Sequence, residues 1–108
     1  MDAREYTAIE TTRAAGGECY HEFLRVPDLS AGTYVLEVGA TDPPPPHTED
    51  ELYHVVAGPA TVTVGSRSRP VVAGSLVFVP ATALHRFHDI TERLEPLVIF
   101  GPADGDRA

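Results

Sequence analysis

Hydrophobic positions in this chain fall into short runs that alternate with polar ones, and glycine or proline separates the runs across most of residues 19–101. Residues two apart on a strand share a face, so such runs mark half-buried β-strands. The first candidate strand covers residues 19–26 and is closed by Pro27; the second covers 33–38 and is opened by Ala31-Gly32. Four consecutive prolines within residues 42–46 predict a stiff, extended loop without backbone donors. Further strands are expected over 51–56, 60–64, 69–72, 76–79, 85–88 and 94–100, with Pro96 placing part of the last at an edge or bulge. About eight short strands at this spacing, with no convincing amphipathic helix, predict an all-β single domain, a sandwich or barrel. Residues 1–18 are polar and weakly patterned and end in Gly16-Gly17. They leave open a loose arm, an edge strand that a partner could share, or a short helix. The barrel is expected over residues 19–103, and the tail 104–108 is expected to fray.

Two stretches of this pattern carry candidate chemistry. In the first, Gly39 is followed after five residues by Pro45, then by His47, Glu51 and Gly58. In the second, Gly74 is followed after five residues by Pro80, then by Thr82, His85 and Asp89. His47 and Glu51 are four apart and point the same way on a strand, while His85 must arrive from another strand across a narrow interior. Two imidazoles and a carboxylate are a ligand set for Fe(II), Mn(II), Ni(II) or Zn(II), with coordination positions left open for substrate.

The two stretches resemble, in order and spacing, the paired motifs of the cupin family. The resemblance covers residues 39–89 and implies a small jelly-roll barrel, a double-stranded β-helix, with a divalent metal inside its mouth. Three positions depart from the family pattern: Pro45 stands where the family usually has a histidine ligand, Thr82 where it has glycine, and Asp89 where it has asparagine. The stretch PHTEDELYHVVAG also resembles a subgroup of small bacterial cupins that lack that first histidine. The family's ligand set of three His and one Glu is thus reduced to His47, Glu51 and His85. Glu49, of the same parity, could replace the missing ligand; so could water, or the three groups could form a metal-free polar cluster.

Other residues are weighed against plainer roles. Tyr53 shares the face of Glu51, which makes it the best candidate for a catalytic or pocket role; its hydroxyl needs a polar partner if buried. Tyr34, Phe78 and Phe87 are expected in the core. His54 and His88 have the wrong parity to join the site, and His21 lies far from both motifs. Arg25 and Arg86 could approach a substrate carboxylate but read better as strand-surface charge. Cys19 reads as a small buried apolar residue.

Composition narrows the function classes. The chain has 108 residues, one cysteine, and a formal charge of -8 spread along its length. That charge argues against nucleic acid or an anionic membrane as partner. All eight basic residues are Arg, so Schiff-base chemistry and a P-loop lysine are excluded. One cysteine and no long apolar run fit a soluble cytoplasmic protein. The reading is a metal-dependent enzyme acting on a small oxygenated metabolite, of dioxygenase, isomerase or decarboxylase type. Alternatives are a non-catalytic module that binds a small molecule or metal, and a structural barrel with a vestigial site. The open edges of a small barrel predict a homodimer.

Overall fold

In the computed structural model, which describes residues 1–42 and 47–105, the alternating runs become eight antiparallel strands in two facing sheets. The proline run, including Pro45, and residues 106–108 lie outside the described residues. The strands are β1 (Tyr20–Val26), β2 (Leu29–Tyr34), β3 (Asp50–Ala57), β4 (Ala60–Val64), β5 (Arg67–Val71), β6 (Leu76–Val79), β7 (His85–His88) and β8 (Glu95–Gly101). A five-stranded sheet runs β1-β2-β8-β3-β6, and a three-stranded sheet runs β5-β4-β7. This is the jelly roll that the motif resemblance implied.

Strand parity decides what each sheet buries. On β3, Glu51, Tyr53 and Val55 face inward while Leu52 and His54 face out. Val98 and Phe100 of β8, Val62 of β4, Val71 of β5, Val79 of β6 and Phe87 of β7 meet them in one core. Leu94, fully buried, forms a bridge with Leu36 beyond the end of β2 and packs against Gly58. A Cβ on Gly58 would meet Leu94 Cδ1 at 3.0 Å, so any side chain there has to push the Leu94 methyl aside.

Several expectations need correction. The second strand is Leu29–Tyr34 and not 33–38; beyond Tyr34 only the Leu36–Leu94 bridge continues the pairing. β8 is a central strand, paired with both β2 and β3, so Pro96 does not mark an edge. It does mark a bulge: Pro96 faces Val55 where the β3 register slips, and pairing with β2 begins only at Leu97. Cys19 and Phe78 are exposed, not buried. Phe78 lies on β6, the last strand of its sheet, with its side chain on the outer face.

The N-terminal segment adopts the helical alternative, α1 (Tyr6–Gly16). Ile9 is its one buried residue, and polar ties dock the rest: Tyr6 Oη donates to Glu95 at 2.9 Å and Glu10 pairs with Arg93 at 2.6 Å, while Glu10 also pairs with Arg13 at 2.7 Å within the helix. Gly17, at φ 72°, ends it with its N–H on the Ala14 carbonyl. No helix among the described residues is long and apolar enough to cross a membrane.

Two of the three departures from the family pattern fall at positive φ, Thr82 in the turn between β6 and β7 and Asp89 just after β7. Thr82 and Asp89 are the two described non-glycine residues with positive φ, at 65° and 53°. Asp tolerates this region nearly as well as Asn, but a β-branched Thr is strained there by about 1–2 kcal/mol. The turn conformation is held by the Thr82 backbone N–H, which donates to the His47 carbonyl at 2.7 Å, a bond any residue there could make. Thr82→Gly is therefore expected to stabilise the fold by about 1 kcal/mol, read as a raised urea midpoint at unchanged slope. An unchanged or lowered midpoint would contradict the strain.

Candidate functional site

Inward parity on β3 and β7 brings Glu51 and His85 together in the barrel, and His47 joins them from the segment just before β3. Glu51 is 2% exposed. Its Oε2 lies 3.1 Å from His85 Nε2, its Oε1 accepts the Tyr53 hydroxyl at 3.3 Å, and His47 Nε2 stands 3.8 Å from Oε1. The Tyr53 hydroxyl is also 3.2 Å from His85 Nε2. The two imidazole rings are 6.3 Å apart, centre to centre. The three residues expected to converge do converge, on Glu51.

The far nitrogens of both rings are committed elsewhere. His85 Nδ1 lies 3.0 Å from the Ala83 carbonyl, which can only accept, so Nδ1 carries a proton and Nε2 is the nitrogen turned to Glu51. His47 Nδ1 lies 3.0 Å from Asp104 Oδ1, with the same consequence while that carboxylate is ionised. Phe100 packs against the His47 ring at 4.8 Å. Backbone bonds fix the approach: Thr82 N–H holds the His47 carbonyl, and Asp50 Oδ1 accepts the Ala81 N–H at 2.8 Å.

Burial pushes the Glu51 carboxyl above its ordinary range, an effect that His85 and His47 partly offset. Burial also pushes the Tyr53 hydroxyl far up, and the Glu51 charge adds to the shift. Tyr53 is thus a firm proton donor to Glu51 and unsuited to act as a base.

Glu49 is 1% exposed and accepts the Thr48 hydroxyl. One ligand atom each from His47, Glu49 and Asp104 lies within 4.8 Å of the others, a second arrangement that could hold a metal on the other side of the His47 ring. The donor chemistry of both groupings, imidazole with carboxylate, fits a divalent ion.

Sequence reasoning missed Asp104, because it falls in a segment read as a fraying tail. Its N–H donates to Ser30 Oγ at 2.8 Å and its carbonyl accepts from Arg25 at 2.6 Å. Ala103 beside it is fully buried, which nothing in the local sequence announces. Asp42 was missed too: it is buried, accepts the Tyr34 hydroxyl at 3.2 Å on Oδ1 and the Phe87 N–H at 2.8 Å on Oδ2. Next to the site is a cavity of about 180 Å³ lined by Tyr20, Tyr34, His47, Tyr53, Val98, Phe100 and Asp104.

The histidines set aside from the sequence stay apart. His54 is exposed on the outer face, and His21 lies 3.9 Å from Glu18 on the surface. His88 contacts Thr63 at 2.6 Å and Asp89 at 3.1 Å outside the barrel. Arg25 and Arg86 are exposed, Arg25 being paired with Glu22 at 3.1 Å.

Comparison with known proteins agrees with this architecture. An uncharacterized protein of Streptomyces coelicolor is 44% identical over 104 residues, covering 96% of this chain and 99% of its own length. Among solved structures, TT1209 from Thermus thermophilus superposes with a TM-score of 0.77 at 19% identity, covering 95% of this chain and 99% of that one. KdgF from a Halomonas species superposes with a TM-score of 0.73 at 22% identity, covering 82% of each chain. A cupin family protein of Methanocaldococcus jannaschii with a double-stranded β-helix fold gives 0.70 at 19% identity over 77% of this chain and 78% of its own. At these identities the structural likenesses speak for the fold alone. The cupin domain model matches residues 32–100, the span that carries both motifs and most of the barrel, and the chain belongs to the cupin family.

Proposed function

We propose that this cupin is a metal-dependent enzyme that acts on a small oxygenated metabolite, with His47, Glu51 and His85 as the metal ligands. One observation carries the reading: both imidazoles aim Nε2 at Glu51 while both Nδ1 atoms are bound away, to Ala83 and Asp104. Histidines that ligate metals use this arrangement, in which the outer hydrogen bond fixes tautomer and ring direction. A divalent ion bound there would supply Lewis-acid polarisation of a substrate oxygen. The protein's own groups would do the rest. Tyr53 holds Glu51 in place through its hydroxyl, Asp104 orients His47, and Phe100 and Val98 exclude water from one side of the site.

A second reading places the ion among His47, Glu49 and Asp104, favoured by the short spread of their ligand atoms. Substitution separates the two. In protein reconstituted with Mn(II) and assayed by elemental analysis and circular dichroism, His85→Ala and Glu51→Gln are each expected to abolish stoichiometric metal with the fold intact, and Glu49→Gln to retain it. Full metal in both His85→Ala and Glu51→Gln would overturn the assignment. As an orienting partner, Asp104 should matter less than a ligand. Asp104→Asn is expected to weaken Mn(II) about 10–100-fold in a competition titration. An unchanged affinity would remove Asp104 from the site.

We also read the chain as a homodimer, with a changed interface. Residues 1–18, considered as a shared strand, pack as α1 on their own barrel. The apolar outer face at the β6 edge, Leu52, Leu76 and Phe78, supports pairing there instead. Phe78→Glu is expected to halve the mass seen by light scattering; a monomeric parent chain or an unchanged mass would count against it.

A further inference from the structure

We propose that Thr63, His88 and Asp89 form a second site, on the outer face of the three-stranded sheet, where the Thr63 hydroxyl takes up the acyl group of a small ester. On β7, His85 and Phe87 turn inward while Arg86 and His88 turn out, so this site lies on the far side of the sheet from Glu51. It is independent of any metal in the barrel.

The hydrogen bonds there run in one direction. His88 Nδ1 lies 3.1 Å from Asp89 Oδ2, and a carboxylate only accepts, so Nδ1 carries a proton. In the neutral ring Nε2 is then an acceptor, and the Thr63 hydroxyl, 2.6 Å away, donates to it. That spends the one Thr63 proton. Ser68 Oγ, 2.8 Å from Thr63 Oγ1, is therefore the donor in their contact. A Thr–Ser pair across two strands is an ordinary sheet contact. The imidazole and the carboxylate behind it make this one different: a hydroxyl on a base, and the base on a group that orients it, are the signature of an activated nucleophile. The His88 side chain is 22% exposed, which shelters both of its bonds from water.

The backbone holds the third member in place. Asp89 follows the last residue of β7 at φ 53°, and its carboxylate meets the ring of the preceding residue. This is the position where the family usually has asparagine. Aspartate keeps the turn and adds a negative charge, which stabilises an imidazolium as it forms.

Two further features complete the site. Arg86 stands directly across the β4–β7 ladder from Thr63, and side chains in such a pair start ~4.5–5.5 Å apart. No hydrogen bond or ion pair among the described residues engages its guanidinium, which leaves it available to a developing oxyanion. Beside Thr63 opens a cavity of about 240 Å³ lined by Thr63, Gly65, Leu84, His85 and Arg86. It is smaller than the ~300–1,000 Å³ of drug-sized pockets, and the exposed Leu84 gives it an apolar wall, so it suits a short acyl chain.

The reaction balances with water as the co-reactant. Thr63 Oγ1 bonds to the ester carbonyl carbon while its proton passes to His88 Nε2. The bond to the leaving oxygen then breaks, and Nε2 gives the proton to that oxygen, releasing the alcohol. Water next attacks the acyl-threonine and gives a proton to Nε2. The bond to Thr63 Oγ1 breaks, Thr63 recovers the proton, and a carboxylic acid leaves. Asp89 acts through His88 and is a positioning residue.

The test uses the full chain in EDTA with p-nitrophenyl acetate. Release of p-nitrophenolate is expected above the protein-free rate, with an acetyl adduct on Thr63 located by peptide mass spectrometry. With the fold checked by circular dichroism, Thr63→Val is expected to abolish the adduct and Thr63→Ser to keep it at the same position. His88→Gln is expected to slow acylation about 100-fold. Arg86→Gln is expected to slow it about tenfold, less than loss of a rigid donor, because the side chain is exposed. Asp89→Asn is expected to slow it about tenfold or more, and nitrogen NMR of the His88 ring to change from the Nδ1–H tautomer to a mixture. No protein-dependent release, an adduct on Ser68 or the N-terminal amine instead of Thr63, full rate in His88→Gln, or activity lost in EDTA overturns the proposal.

Discussion

A carboxylate with 2% exposure cannot stand alone in a barrel core, and the site follows from how Glu51 is partnered. An unpaired buried carboxylate costs several kcal/mol, enough to threaten a small domain whose whole stability is about 5–15 kcal/mol. His85 at 3.1 Å and Tyr53 at 3.3 Å meet that cost directly, and His47 at 3.8 Å adds a weaker, longer-range contribution. The pairing also dictates fold detail. Glu51 and Tyr53 must share a face of β3, and β7 must cross the opposite sheet with His85 pointing in. Glu51 and His85 thus meet across the interior, one from β3 of the five-stranded sheet and the other from β7 of the three-stranded sheet.

The turns carry the departures from the family pattern without changing its geometry. Positive φ persists at Thr82 and Asp89, where the family usually places glycine and asparagine. The backbone conformation is thus what is kept, and the side chain is negotiable at a cost. Thr82 shows why the cost is borne: its N–H is the bond that fixes the His47 carbonyl, so a different turn would release a site residue. Strain stored beside a site and offset by surrounding packing is a recurrent arrangement.

The strands were largely legible because alternation reports burial. β4, β6 and β7 fall on the expected residues, and Tyr53, His54 and His88 take the faces their parity assigned. Three features escaped for physical reasons. Helix α1 docks through Tyr6 on Glu95 and Glu10 on Arg93 with only Ile9 buried, so it leaves no apolar stripe to read. Phe78 is exposed because it alternates with the buried Val79 on β6 and faces outward beside Leu52, and a run that is apolar throughout does not tell which face turns in. Asp104 is fixed by Ser30, Arg25 and His47, contacts made across 57 to 79 positions of sequence, and no local signal marks a contact of that range.

Asp104 also changes how the loss at Pro45 should be understood. A missing histidine ligand invites a search for a substitute ligand nearby in sequence, and Glu49 is the obvious one. The geometry divides the labour differently. His47 keeps Nε2 on the Glu51 side and gives Nδ1 to a carboxylate from the far end of the chain. If His47 is a ligand as proposed, a ring held in one tautomer and one orientation would bind more strongly than a free one, so orientation by Asp104 would offset part of what a third imidazole provides. The same carboxylate then lines the adjoining cavity and adds negative charge to it. A single residue from the C-terminal segment thereby touches both the histidine and the cavity beside it.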